Sequence, residues 1–156
     1  GETPLIVILA EVEDPHNLGA VIRTAECAGA HGIIIPKHRA VPMTETVSRV
    51  AAGAAEYVPV ARVANLVHTM KELKEQGIWV AGAHMTNAAP LWQADLQGPL
   101  AIVLGGEGQG IPRLVAEHCD FMVKLPMKGK ITSLNVSATA GVILYEVMRQ
   151  RNFAAK

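Results

Sequence analysis

Apolar runs and amphipathic segments alternate along this chain. Leu5-Ile6-Val7-Ile8-Leu9 is continuously apolar, the pattern of a strand buried on both faces. In residues 17–29, Leu18, Val21, Ile22 and Ala25 recur at helical spacing, with Gly29 near the end. Gly32–Pro36 predicts a second strand and 44–53 a second helix. A third strand is expected over 58–63, then an amphipathic helix over 64–76 closed by Gly77. Strands at 78–81 and Leu100–Leu104 follow, then a short helix over 112–118 with Pro112 at its start. A sixth strand over 121–125 precedes the last helix, 135–150.

Continuously apolar strands alternating with helices predict an α/β protein, doubly wound, with a mostly parallel sheet of about six strands. The 156 residues fit one domain, 1–156. In such sheets ligands bind outside the carboxyl ends of the strands, so the segments that follow strands carry the interest. The one long irregular stretch, 84–99, is either a functional loop or a plain surface excursion.

Half of the chain is apolar but only 4% is aromatic, so the core is aliphatic. The formal net charge is zero, and any nucleic-acid contact must rest on local clusters. Cys27 and Cys119 match no metal or redox spacing, which favours a reducing cytoplasm. The apolar runs are too short to span a bilayer, and no signal-peptide pattern is visible. Entry into a strand by residue 5 reads like the start of an excised domain.

Three segments carry candidate chemistry. The first is Asp14-Pro15-His16-Asn17-Leu18-Gly19, followed by Arg23. Pro15 stiffens the turn and Asn17 is a candidate cap. Arg23 either pairs with Glu26 on the helix surface or grips a phosphate with its fixed fork. The second is Val103-Leu104-Gly105-Gly106-Glu107-Gly108-Gln109-Gly110. Its glycines let a ligand approach the backbone, but their spacing is not G-x-G-x-x-G and Glu107 would repel a pyrophosphate. A dinucleotide site, and with it an oxidoreductase, is therefore disfavoured. The third runs from Leu125-Pro126-Met127 through Lys128-Gly129-Lys130 to Ser133-Leu134-Asn135-Val136-Ser137. A helix needs one capping side chain, and Ser133, Asn135 and Ser137 are more than that. Lys124, Lys128 and Lys130 form one basic cluster, and Arg23, Lys37, His38, Arg39 and Arg49 another. Each alone is commonly a solvated face; beside candidate ligand loops they favour a phosphate-bearing substrate.

Together, Asp-Pro-His-Asn-Leu-Gly-x-x-x-Arg-Thr-Ala-Glu at 14–26, Val-Leu-Gly-Gly-Glu-Gly-Gln-Gly at 103–110, and Leu-Pro-Met with Ser-Leu-Asn-Val-Ser over 125–137 resemble the SPOUT superfamily of RNA methyltransferases, specifically its SpoU-type ribose 2′-O-methyltransferases. The motifs stand in the family's order and cover nearly the whole chain. Val-Pro-Val-x-Arg-Val-x-Asn-Leu at 58–66 looks most like the bacterial branch acting on a guanosine of 23S rRNA. The resemblance implies a C-terminal trefoil knot, an exception to the rule that chains do not thread loops. It also implies S-adenosylmethionine as cofactor, a homodimer, RNA rather than DNA as partner, and an N-terminal RNA-binding domain that this chain lacks. Gly105, Leu125 and Leu134 would line the cofactor, with Gly108 and Met127 close by. Asn17, Arg23, Glu107, Ser133 and Asn135 would form the polar catalytic set. Ala138-Thr139-Ala140 differs mildly from Val-Ala-rich versions of the last motif.

On that likeness the donor arrives activated, and the protein aligns the hydroxyl and disposes of its proton. Arg23 stays protonated at accessible pH, so a phosphate grip that lowers the hydroxyl's pKa suits it better than the role of base. Ser133 and Asn135 would orient the ribose and Arg23, and Glu107 would hold Arg23 or the cofactor. No metal is called for. A tRNA ribose methyltransferase and a non-catalytic RNA-binding homologue are the alternatives.

Overall fold

Alternate side chains of the first strand, β1 (Leu5–Leu9), go to opposite faces. Leu5, Val7 and Leu9 join one apolar cluster and Ile8 another. Both faces must then be covered, and helices cover them. On the first face lie α1 (Pro15–Cys27), α2 (Glu45–Ala51) and α5 (Val136–Gln150), through Leu18, Ile22, Val47, Ile143 and Leu144. On the second lie α3 (Leu66–Glu75) and α4 (Arg113–Glu117), through Leu66, Met70 and Val115. The computed structural model describes residues 2–38, 40–84, 87–106 and 110–151.

The other strands are β2 (Gly32–Pro36), β3 (Val60–Val63), β4 (Trp79–Ala83), β5 (Ala89–Pro90), β6 (Leu100–Leu104) and β7 (Phe121–Lys124). They form one parallel sheet in the order β3-β2-β1-β6-β4-β7-β5. The described residues thus hold seven strands, against the six expected. The extra one, β5, is two residues long, contains Pro90 and lies on the sheet edge, where a missing N–H is tolerated. Such a strand has no periodicity to read.

The 84–99 excursion is packed, not loose, in its described part. Leu91 and Leu96 are fully buried. The end of α5 ties it down: Gln150 Nε2 donates to Ala94 O at 2.9 Å, and Leu96 N–H donates to Gln150 Oε1 at 2.8 Å. Gln150 is steadied by Glu146, which also takes two bonds from Arg149 at 2.7 and 2.9 Å. The Arg149 bonds, and then Gln150, hold the Glu146 carboxyl below the usual carboxylate range. Arg151 gathers the carbonyls of Thr3, Pro4 and Gly98, so the ends of the described chain are stapled together.

Helices α1 and α2 meet at Gly19. A Cβ there would lie 2.7 Å from Val50 Cβ and 2.8 Å from Val47 O, so no larger residue fits the crossing as built. Of the two cysteines, Cys27 is exposed on α1. Burial, and then the charge of Asp120, push the Cys119 thiol up to about 11. At pH 8 only about one Cys119 in a thousand is then thiolate, and the thiolate is the reactive form. Alkylation of folded protein by iodoacetamide at pH 8 should spare Cys119, whereas urea-unfolded protein should label fully; peptide mass spectrometry reads the difference. Equal labelling in both states would contradict this.

Candidate active site

Strands β1 and β6 are neighbours, with Leu9 opposite Leu104 and Ala10 N–H donating to Leu104 O at 2.9 Å. Beyond that pair the chain parts. From β1 it turns to α1 on one face, and from β6 it runs through the glycine-rich turn to α4 on the other. Strands β2 and β3 lie to one side of this pair and β4, β7 and β5 to the other. This is a topological switch point, where parallel sheets hold ligands.

The glycine turn folds back on itself there. Gly106 and Gly110 form a single antiparallel bridge, with Gly110 N–H donating to Gly106 O at 3.3 Å. A Cβ on Gly105 would collide with the carbonyl of Gly110 and the nitrogen of Ile111. Glycine is therefore required by backbone against backbone. Gly105, Gly106 and Gly110 line a cleft of about 600 Å³ together with Ser133, Leu134 and Asn135. Leu134 remains 46% exposed, an apolar side chain open to the cleft.

A narrow cavity of about 100 Å³ adjoins the cleft and shares Ser133, Leu134 and Thr139 with it. Buried Leu125 and half-buried Met127 line it. A third cavity, about 140 Å³, shares Gly106 and Val136 with the cleft and is bounded by Glu11, Glu13, Asp14 and Asn17. The described lining of the main cleft bears no charged side chain, whereas both flanking cavities have charged residues on their described linings.

Asn17 does not cap α1. Asp14 does, accepting from His16 N–H at 2.8 Å, with Pro15 in the first helical position. Asn17, only 8% exposed, accepts instead from Asn135 Nδ2 at 3.1 Å, across 118 residues of chain. Asn135 is itself the cap of α5, its Oδ1 accepting from Ser137 N–H at 2.9 Å and from the Ser137 hydroxyl. One amide thus starts a helix and joins the first motif to the last.

Arg23 is not brought to this cleft. It lies six residues beyond Asn17, about 9 Å along the helix axis and on the exposed side of α1. It makes no hydrogen bond or ion pair with a described residue, so the pairing with Glu26 is not formed. Glu107 and Gly108 lie outside the described residues. Of the expected set, the fold gathers Gly105, Leu125, Met127, Ser133, Leu134, Asn135 and Asn17 around three adjoining cavities. Thr139 and Val136 also line the cleft and escaped the sequence reading. Thr139 stands one helical turn past Asn135, the spacing that would have found it.

The SpoU rRNA Methylase family model matches residues 4–145. The chain belongs to this family. Its relatives include the "Putative TrmH family tRNA/rRNA methyltransferase YacO" of Bacillus subtilis, 55% identical over 97% of this chain and 61% of that protein. The "23S rRNA (guanosine-2'-O-)-methyltransferase RlmB" of Vibrio parahaemolyticus is 54% identical over 99% of this chain and 62% of its own length. The present chain thus spans about three fifths of these relatives. Among solved structures, the SpoU methyltransferase AviRb of Streptomyces viridochromogenes, in complex with AdoMet, superposes with a TM-score of 0.91 at 29% identity. That match covers 99% of this chain and 63% of AviRb. The parallel seven-stranded α/β sheet is therefore a SpoU sheet.

Proposed function

We propose that residues 1–156 are the catalytic domain of an enzyme that transfers a methyl group from S-adenosylmethionine to a ribose 2′-hydroxyl in RNA, at a guanosine of 23S rRNA. The observation that carries this reading is the meeting of all three motif segments at three adjoining cavities beside the switch point, with the first motif tied to the last by the Asn17–Asn135 bond. The cleft suits the cofactor. Its about 600 Å³ lies within the range of small-ligand sites, its walls offer main-chain groups, and an apolar slot opens from it. The relative named as a 23S rRNA (guanosine-2'-O-)-methyltransferase and the AdoMet complex of AviRb support the same chemistry.

Bound there, S-adenosylmethionine supplies a methyl carbon already activated by its sulfonium. The protein's part is alignment and proton disposal. Ser133 and Asn135 sit on the cleft wall to hold the ribose, and the buried Asn17 fixes the Asn135 amide. Arg23, exposed and uncommitted to any described residue, grips an RNA phosphate outside the cleft. Glu107 completes the polar set, and Gly108 stands by the cofactor with Gly105. The reading includes a homodimer, a C-terminal trefoil knot, a cytoplasmic setting, no DNA partner, and an RNA-binding domain elsewhere in the full-length protein. No helix among the described residues is long and apolar enough to cross a membrane.

The test is methyl transfer by the full-length protein, with mass-spectrometric mapping of 2′-O-methylation on 23S rRNA and tRNA. A single new 2′-O-methylguanosine in 23S rRNA is expected. Methylation confined to tRNA would make it a tRNA enzyme, and cofactor or RNA binding without any transfer would make it a non-catalytic homologue.

A further inference from the structure

Thr139 lies on the face of α5 that borders both the main cleft and the apolar side cavity. Its backbone N–H donates to Asn135 O at 3.0 Å. A threonine in a helix often returns its hydroxyl to the carbonyl four residues back. Thr69 does so in α3: four residues past the cap Asn65, its Oγ1 donates to Asn65 O at 3.2 Å. Thr139 is also four residues past its cap, Asn135, yet its hydroxyl makes no hydrogen bond with a described residue. Nor is the hydroxyl sealed in, since the buried unpartnered side-chain polar atom among the described residues is Arg151 Nε. An open, unspent hydroxyl therefore stands where two cavities join. Threonine is also a weaker helix former than alanine, so local helix stability does not account for it.

The side cavity narrows what that hydroxyl would meet. Val123, Leu125, Met127 and Leu134 make it mostly apolar, with His84, Lys124, Thr132 and Ser133 also on its lining, and about 100 Å³ admits a flat ring and little more. The ring-bearing half of S-adenosylmethionine is uncharged, and its ribose hydroxyls and ring nitrogens are partners a hydroxyl can serve as donor or acceptor. On the reading that this cleft takes S-adenosylmethionine, we infer that the Thr139 hydroxyl hydrogen-bonds the nucleoside half of the bound cofactor. Thr139 is then a binding residue at the junction of slot and cleft.

Calorimetric titration of the full-length protein tests this with Thr139→Val, which keeps the shape and removes the hydroxyl, and Thr139→Ser, which keeps the hydroxyl. S-adenosylmethionine and S-adenosylhomocysteine share the nucleoside and differ at sulfur. Thr139→Val should weaken both by about 3- to 10-fold, the worth of one hydrogen bond, with unfolding temperature held. Thr139→Ser should stay within about twofold of wild type for both. Unchanged affinity in Thr139→Val overturns the inference, as does equal loss in the two variants, which would make shape the cause. A higher KM for RNA with unchanged cofactor affinity overturns it too, placing the hydroxyl against substrate. If the wild-type protein binds neither compound, the cofactor reading itself fails, and this inference with it.

Discussion

Gly105→Ala is expected to weaken S-adenosylmethionine binding by more than about tenfold while leaving the protein folded. The added Cβ would run into the Gly110 carbonyl and Ile111 N–H, both main chain, so no side chain can swing aside. The backbone around Gly105 and Gly110 must move apart, and the adjacent Gly106–Gly110 bridge with it. Overpacking of this kind costs about 1–3 kcal/mol, a modest part of a domain's stability. The larger effect falls on the cleft, because the displaced segment is part of its lining. Gly98→Ala makes a suitable control, since a Cβ there meets nothing within 4 Å. Calorimetry for affinity and thermal unfolding for stability check both. If Gly105→Ala binds the cofactor like wild type, this turn is not a wall of the cofactor site.

The order of elements was legible in the sequence because burial on both faces writes itself as unbroken apolar runs. Leu5–Leu9 and Leu100–Leu104 are such runs, and they are adjacent at the centre of the sheet. The edge was not legible. Ala89–Pro90 becomes a strand only because β7 offers it partners, which no local pattern reveals. The same division holds at the site. Gly105, Ser133, Leu134 and Asn135 are recognisable as motif residues and do line one cleft. The partner of Asn17 was hidden, because the bond spans 118 residues. Capping was misassigned for a local reason. Asp14 and Asn17 are both good caps, and Pro15 settles the matter by fitting the first helical position only if Asp14 precedes it.

Asn135→Asp should separate two duties that one side chain performs. The cap needs an oxygen acceptor for Ser137 N–H, and aspartate supplies it, with a charge that suits a helix N-terminus. The bridge needs the Nδ2 donor to Asn17 Oδ1, and aspartate lacks it. Asn17 would then turn its own amide or leave a buried oxygen unpaired, at a cost of about 1–3 kcal/mol before the gain at the helix end is set against it. For a domain of this size, a net loss of about 1 kcal/mol lowers Tm by about 2–4 °C. Methyl transfer should fall much further, about 100-fold or more in kcat/KM, because the amide that aligns the ribose is gone. Asn135→Ala should lose activity to a similar degree and also lose the cap, which adds about 0.5–2 kcal/mol of destabilisation. Plain capping predicts the opposite ranking: aspartate near wild type in activity, alanine impaired only as far as it unfolds. Steady-state kinetics beside thermal unfolding for the two variants distinguishes them. An active Asn135→Asp would reduce the Asn17–Asn135 bond to a structural tie between the first helix and the last.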